Sequence, residues 1–455
     1  LERVVMKKFV IIFFVYLLSQ ISVFAYSEID DVASVEGNSK EEYKKIDKEF
    51  YLKGLRVFRK IRDDFPDEKN LIDKIYDLYK DEYYLAALKE VENLSSSEEK
   101  EALKGIIYGA LNMMSSAEKS FYQVNIPELE KLKRDIIYEN KYEVTPFYGF
   151  LSQDLSEEYD LDYQKVGITA SKFEKDAKIK LDYRMINYTT SSHQYGNDAT
   201  NTLRLSVNGR YSPDWEYRVS AGVKFYEKDG SPMAIGDLWV KHHFNDNFSV
   251  RAGVSRENLE QSYLAAVGVR VDGVFTGRVA SNKVFVEANY KAKNNYYGSL
   301  RAMFGLMNGA NLQTNPYFAG YVNLGKRLYN NAENPYVQKV NVDITNYTLS
   351  YKYDLLNIYD STGYIRGGYF SPPFYNGTTA NIRVEGVYKK LSYGLKGFIG
   401  GQFSDYDHVV AVAFGVSPYI KLEINERIDF KASYTMAEFA DVKTNLLTIS
   451  FVIKI

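Results

Sequence analysis

The chain has 455 residues, a length that suits two domains or one large barrel. It contains no cysteine, which excludes disulfides, thiolate nucleophiles and cysteine-ligated zinc sites. A formal net charge of −2 gives no reason to expect nucleic acid as a partner. With 41 Tyr and 26 Phe the aromatic content reaches 15%, which is high for a soluble domain and typical of proteins with interfacial aromatic girdles.

Residues 1–25 are the first predicted element, a secretory signal peptide. Two lysines precede an apolar run over 9–18, and Val23 and Ala25 occupy the small-residue positions of a cleavage site. A membrane anchor is the alternative, but the apolar run is short and polar residues follow it at once. We therefore expect the protein to leave the cytoplasm, with residues 26–40 as a linker.

Residues 41–143 are predicted to form a small α-helical domain, because apolar residues recur there every three or four positions. Small, aromatic and proline residues fall at the relative spacing of a tetratricopeptide repeat, in which a small residue lets two helices approach closely. A generic helical bundle is the alternative, and either form suits holding a partner better than chemistry. The expected packing positions are Gly54, Phe58, Pro66, Ala87, Ala117 and Phe121.

From residue 145 to residue 455 the period changes to 2, which indicates β-strands. In one window Ile179, Leu181 and Tyr183 alternate with Lys180 and Asp182. A soluble sandwich would bury the apolar face, whereas a transmembrane antiparallel barrel would turn it towards lipid and its polar face towards an aqueous lumen. The strands are about ten residues long, as a tilted membrane crossing requires, so the barrel is favoured.

The connections between these strands alternate in length, as in outer-membrane barrels with tight periplasmic turns and longer outer loops. The predicted short turns are 213–214, 245–246, 281–282 and 425–426, and the predicted long loops are 189–201, 227–236, 255–266 and 326–343. Counting windows predicts an all-β barrel of about 16 strands, with 18 as the alternative count. An even number returns the last strand to the periplasmic side, where the helical domain is expected.

Charged residues recur at positions that the alternation places inside the barrel. On a lipid face each Lys or Arg would cost roughly 2–4 kcal/mol at mid-membrane, so these side chains must face water or each other. Most are expected to form salt bridges of the barrel wall, and some to line a path for a hydroxyl-rich or anionic solute. The candidates for this path are Arg184, Arg204, Arg218, Lys224, Arg251, Lys352, Arg383 and Glu385.

Enzyme motifs are not found in the sequence. None of the four histidines belongs to an H-E-x-x-H motif, and no G-x-S-x-G occurs. His242 and His243 are adjacent in an alternating strand, so one must face each way. We expect no enzymatic activity, no metal site and no cofactor.

The stretch "GGYFSPPFYNG" joins a strand-like run to two prolines, with aromatic residues on either side. This chain resembles the C-terminal barrel of cellulose synthase operon protein C, an exporter family whose barrels carry a "GGYFSPQ"-like segment. The matching positions here are Gly367, Gly368, Tyr369, Phe370, Ser371 and Pro372, with Pro373 in place of the usual polar residue. The flanking rings are expected to anchor at the membrane interface, with stacking on sugar rings in the lumen as the alternative.

The resemblance implies an outer-membrane channel for a cellulose-like or related exopolysaccharide, with sixteen strands and tetratricopeptide repeats on the N-terminal side. Its expected partners are outer-membrane lipid, the polysaccharide chain, and an inner-membrane glycan synthase or periplasmic proteins held by the helical domain. The helical region is much shorter than the repeat arrays of that family. A general diffusion porin with a cell-wall-binding helical domain, and a surface adhesion barrel, remain alternative hypotheses.

Overall fold

The computed structural model describes most of residues 48–455. The positions within that range that it does not describe are 65–67, 96, 123, 127–128, 140–141, 155–160, 190–196, 229–230, 261, 272, 293, 332–333, 335, 356–367, 370, 406–408, 426 and 440–441. The predicted signal peptide and linker therefore lie outside the described residues. Pro66, Gly367, Phe370, His193 and His408 also lie outside them.

In the part of the chain that the structure describes, six helices precede the strands and pack consecutively around one apolar core. They are α1 (Lys48–Asp64), α2 (Lys69–Lys80), α3 (Tyr84–Val91), α4 (Ser97–Ala110), α5 (Met114–Tyr122) and α6 (Glu130–Glu139). Their core holds Phe58, Ala87, Ala117 and Phe121, all almost fully buried. Gly54 lies so close to Tyr79 and Ile106 that a β-carbon there would clash with both. Among the described helices, none is long and apolar enough to cross a membrane.

The described residues between 143 and 454 form strands, one short helix and their connections. The elements are β1 (Glu143–Asp154), β2 (Leu161–Glu174), β3 (Ala177–Thr189), β4 (Asp198–Ser212), β5 (Trp215–Tyr226), β6 (Met233–His243), β7 (Phe248–Asn258), α7 (Tyr263–Val267), β8 (Val269–Val271), β9 (Val274–Lys291), β10 (Tyr296–Ala310), β11 (Asn315–Asn330), β12 (Lys339–Tyr351), β13 (Tyr375–Tyr388), β14 (Leu391–Ser404), β15 (Val409–Asn425), β16 (Ile428–Phe439) and β17 (Val442–Lys454).

Sixteen of these strands close into an antiparallel barrel. Each pairs with its neighbour in sequence, except that β7 pairs directly with β9, and β17 returns to pair with β1 along Glu143–Asp154. The remaining strand, β8, pairs only with the start of β9 as a small hairpin. The expectation of a barrel over a sandwich, and of sixteen strands, is confirmed.

The alternation of side chains separates an apolar outer face from a polar inner face. Leu203 and Leu205 on β4 are about half exposed on the outside of the barrel, while Arg204 between them makes polar contacts inside. Val286 is 53% exposed on the outer face of β9, and the adjacent Glu287 is only 2% exposed. Large apolar side chains left open to this extent on so many strands indicate a surface that contacts lipid.

We call the end of the barrel that contacts the helical domain the near end, and the opposite end the far end. Most near-end connections are short turns, for example at 213–214 and 389–390. Two predictions were wrong. Residues 281–282, predicted to be a short turn, lie inside the long strand β9. Residues 326–343, predicted to hold a long outer loop, contain the connection between β11 and β12, which is at the near end. The long connections between β7 and β9 and between β12 and β13 are at the far end, and their described residues include segments that fold inward.

Barrel turns hold the helical domain at the near end by capping its helices. The carboxylate of Asp246, in the β6–β7 turn, accepts hydrogen bonds from the backbone N–H groups of Leu85 (2.9 Å) and Ala86 (2.8 Å) in the first turn of α3. Asp176, in the β2–β3 turn, accepts from Ser116 N (3.0 Å) at the start of α5. Carboxylates are favoured at helix N-termini because they satisfy free N–H groups and complement the helix dipole.

Candidate functional site in the barrel lumen

A carboxylate shared by two arginines lies on the lumen side of strands β7, β9 and β10. Glu287 on β9 accepts from Arg251 Nη2 on β7 at 2.6 Å and from Arg301 Nε on β10 at 2.9 Å. The guanidinium of Arg251 also lies over the ring of Trp239, 5.4 Å from its centroid. All three charged side chains are at most 5% exposed. Such a buried, fully paired group stabilises one arrangement of the wall.

A second shared carboxylate lies on the neighbouring strands. Asp237 on β6 forms ion pairs with Arg204 on β4 and with Arg218 on β5, the latter at 2.9 Å. The hydroxyl of Ser220 completes this cluster. We call the Glu287 and Asp237 clusters together the paired wall. Arg204, Arg218 and Arg251, which the sequence placed on a polymer path, therefore belong to salt-bridge networks of the wall.

Lys224 and Arg184, two further candidates, also have carboxylate partners. Lys224 Nζ lies 2.8 Å from Glu260 Oε1, and the hydroxyl of Tyr188 donates to the same oxygen at 2.8 Å. Glu260 belongs to the connection that follows β7, so this ion pair ties an inward-folded loop to the wall. Arg184 Nε donates to Asp182 Oδ1 at 2.9 Å on the same strand.

Arg383 on β13 differs from these candidates in its surroundings. It lies directly opposite Lys396 on β14, so two cations are cross-strand neighbours on the lumen face. We call Arg383 and Lys396 the open pair. Glu385, two residues along β13, lies opposite Lys339 on β12. Lys396 was not among the predicted site residues, although the alternation of "YGLKGF" around it would have placed it inside.

The placement of Lys352 differs from the expectation. Leu349 and Tyr351 on β12 are 3% and 5% exposed and face the lumen, whereas Ile344 on the other parity is 59% exposed outside. Lys352 directly follows β12, is exposed, and continues the outer parity. The apolar face of β12 points inward here because it packs against chain that folds into the far end.

The helix α7 and the residues around it lie inside the far end of the lumen. All five residues of α7 are at most 4% exposed, which is possible only because the helix is enclosed by the barrel. Leu264 and Val267 join an apolar cluster with side chains of β1, β2 and β3, while Ala265 joins another cluster with β10 to β13. The helix therefore spans between opposite walls. The five apolar residues of α7 are too few to show a helical period, so the sequence did not predict this plug.

Tyr369, Ser371 and Pro372, the buried residues of the "YFSPP" stretch, belong to the same plug and precede a strand. β13 begins at Tyr375, after both prolines. Gly368 has φ = 106°, a conformation that favours glycine. Ser371 is fully buried, and its hydroxyl accepts from Leu355 N at 2.7 Å. Pro372 O accepts from Tyr351 N at 3.1 Å, and the exposed Pro373 leads towards the strand.

The aromatic rings beside the prolines divide between the two faces. Tyr369 is 2% exposed and packs edge-on against Tyr351, with ring centroids 6.3 Å apart. Tyr375 is also buried and donates its hydroxyl to Gln402 at 2.8 Å. Phe374 is 40% exposed on the outside. Interface anchoring therefore suits Phe374, while Tyr369 and Tyr375 pack in the far-end plug.

The adjacent histidines face opposite ways, as expected. His242 stacks on Trp215 with ring centroids 4.4 Å apart, among exposed aromatic residues at the near-end rim. His243 Nε2 lies 2.8 Å from the inward-facing Glu216. Within the described ranges, no group of three or more His, Cys, Asp or Glu side chains could hold a metal ion.

Comparisons with known proteins identify a family and a fold. The family model described as "Cellulose synthase operon protein C C-terminus" matches residues 153–419, which is more than half of the chain. A solved structure named "Bacterial polysaccharide outer membrane secretin" aligns with a TM-score of 0.52 and 10% identity, covering 70% of this chain and 99% of that chain. This second likeness shows the fold alone.

Other solved barrels align more weakly. CdiB from Acinetobacter baumannii gives a TM-score of 0.40 at 8% identity and covers 69% of this chain and 60% of that chain. OprB from Pseudomonas putida gives a TM-score of 0.34 at 7% identity, with 72% of this chain and 96% of that chain covered. No curated protein matches the sequence.

Proposed function

Since the chain belongs to the family of the cellulose synthase operon protein C C-terminus, we propose that it is an outer-membrane channel through which a polysaccharide leaves the cell. The main observation in support is a closed sixteen-stranded barrel whose outer face is apolar and whose inner face carries charged networks. A lumen lined by such groups is wetted, and a hydrated polymer can slide along hydrogen-bonding walls. The similar solved barrel is named as a polysaccharide outer-membrane secretin, which supports the same class of cargo.

The near end is the periplasmic end under this proposal, and the helical domain is a docking module at the channel entrance. Its first helical turns at α3 and α5 are fixed by Asp246 and Asp176, and Arg327 on β11 pairs with Glu82 at 3.2 Å. These contacts hold the domain over part of the barrel rim. Its periplasmic protein partners, or an inner-membrane glycan synthase, would then deliver the polymer to a fixed entrance.

The far end is the extracellular end, and the α7 plug must move before a polymer chain can pass. The plug is held by apolar packing and by the Lys224–Glu260 ion pair, and the chain has no cysteine that could link it covalently to the wall. A helix packed across the lumen disfavours the general diffusion porin, because a passive pore needs an unobstructed path at rest. The family and the barrel point to transport rather than enzymatic catalysis.

Deletion of the gene, followed by complementation, tests this function. We expect the deletion strain to lose surface polysaccharide and retain polymer in the periplasm, and the wild-type chain to restore export. Lys352→Gln removes an exposed cation of the outer parity, so this control variant should also restore export fully. Unchanged surface polysaccharide together with reduced uptake of small solutes would overturn the proposal and favour the porin.

A further inference from the structure

The open pair is placed inside the lumen by the alternation on both strands. On β13, Thr379 shares the parity of Arg383 and is 8% exposed, whereas Ile382 on the other parity is 48% exposed. On β14, Gln402 shares the parity of Lys396 and is 4% exposed. The cross-strand register pairs Arg383 directly with Lys396, so the two cationic side chains start from adjacent positions on one face.

The flanking strands supply no carboxylate at this level. The register places Asn341 on β12 opposite Arg383, and Ser417 on β15 opposite Lys396. Within the part of the chain that the structure describes, neither member of the open pair has a hydrogen-bond or ion-pair partner. Both side chains are partly open to the lumen. Their donors are therefore available to a group in the lumen.

Of the nearest carboxylates on the same face, Asp343 is held by hydrogen bonds and Glu385 lies one level along the strand. Asp343 Oδ1 accepts from the side-chain amides of Asn323 and Asn381, both at 2.8 Å, and its Oδ2 accepts from the hydroxyl of Tyr297 at 3.1 Å. Glu385 lies at the next level, opposite Lys339. Neither carboxylate therefore takes the place of a partner for the open pair.

Like charges directly opposite each other destabilise a sheet. Proteins usually keep such an unfavourable pair only at functional positions. The paired wall shows that this barrel otherwise gives an arginine pair a shared carboxylate, as Glu287 does for Arg251 and Arg301. At the open pair no carboxylate of the described wall forms an ion pair with either cation. The arrangement fits an anion supplied by the cargo.

We propose that Arg383 and Lys396 bind an acidic group of the passing polymer, such as a carboxylate, sulfate or phosphate, so that the cargo is an acidic polysaccharide. This rests on the proposed export function and names its substrate class. The planar guanidinium of Arg383 can bind a carboxylate through two parallel N–H donors, and the ammonium of Lys396 adds a compact charge beside it. Asn341 and Ser417, which lie directly across from the two cations, are neutral and do not pair with them.

Calorimetric titration of the detergent-solubilised full chain tests the proposal. The probes are an oligogalacturonate, which carries a carboxylate on each sugar, a neutral cello-oligosaccharide of the same length, and monomeric galacturonate. We expect the oligogalacturonate to bind and R383Q/K396Q to weaken it by about tenfold or more, since each lost charged hydrogen bond changes affinity by roughly that factor. The control K326Q/K352Q removes two cations from the outer face and should leave binding unchanged.

Three results would overturn the proposal: oligogalacturonate binding no tighter than cello-oligosaccharide, an unaffected R383Q/K396Q variant, or monomeric galacturonate binding as tightly as the oligomer. The last would mark a site for small anions rather than for a polymer. Tight cello-oligosaccharide binding would refute the acidic cargo and leave export intact. Failure of export itself is read separately, from the surface polysaccharide of the deletion strain.

Discussion

The paired wall and the open pair present the same residue types to the lumen in two different states. In the paired wall, Glu287 and Asp237 each neutralise two arginines, and Glu287 and its partners are almost fully buried. In the open pair, Arg383 and Lys396 face each other without a carboxylate. A lumenal charge seen in the sequence can therefore hold the barrel together or be available to a solute, and only its partners decide which.

The strongest response should follow loss of the shared carboxylate in the paired wall. Glu287→Gln leaves Arg251 and Arg301 buried and uncompensated, which should lower the free energy of unfolding by about 3–5 kcal/mol. Urea unfolding in detergent, followed by tryptophan fluorescence, would report it because Trp239 lies under Arg251. The matched change Arg383→Gln should leave the free energy of unfolding unchanged. Equal losses for both variants would remove the distinction between the two regions.

The next largest effect is expected in the plug, which is held mainly by apolar packing and not by the charged networks of the wall. Leu264→Ala removes a side chain that is 3% exposed and should destabilise the folded loop by about 2–4 kcal/mol. We expect more frequent and larger openings in single-channel recordings from planar bilayers. Val274→Ala, at the half-exposed hairpin next to the plug, is the control. Identical recordings from the two variants would show that α7 does not close the lumen.

The carboxylates at the near end are only partly buried, so their effect should be smaller. Asp246→Ala removes the cap of α3 and should cost about 1 kcal/mol of docking stability. Faster amide hydrogen exchange at Leu85 and Ala86 would detect it. Asp214→Ala, in a neighbouring turn where the carboxylate contacts Ser212, is the control and should leave α3 protected. Unchanged exchange in Asp246→Ala would show that the turn does not hold the helix.

A still weaker effect belongs to an exposed ion pair of the helical domain. Hydrogen bonds from Lys100 and Lys104 lower the pKa of Glu92 below its ordinary value. Its contribution is therefore present above the unfolded-state pKa and is lost as pH falls through the folded-state pKa. With Glu92 57% exposed, we expect about 0.2–1 kcal/mol. The stability difference between wild type and Glu92→Gln should vanish in acid, and a constant difference would contradict the assignment.

The barrel could be predicted from the sequence because alternation is a local property, and most strands keep one parity throughout. The prediction failed on β12, where Tyr351 and Leu349 face inward, because their apolar partners come from the distant far-end plug. Lys352 was misplaced for the same reason. The site could be predicted only as a set of inward charges. Neighbours such as Lys396 opposite Arg383, or Glu260 beside Lys224, depend on the register and on loop folding.

Passage of the polysaccharide through the lumen can be tested directly, because the chain has no native cysteine. Ser417→Cys places a thiol on the lumen face opposite Lys396, and Val416→Cys places one on the adjacent outer position. A bulky, membrane-impermeant maleimide should attach to Ser417→Cys and stop polysaccharide export from cells, while Val416→Cys cells continue to export. Undiminished export from cells with fully labelled Ser417→Cys would show that the polymer takes another route.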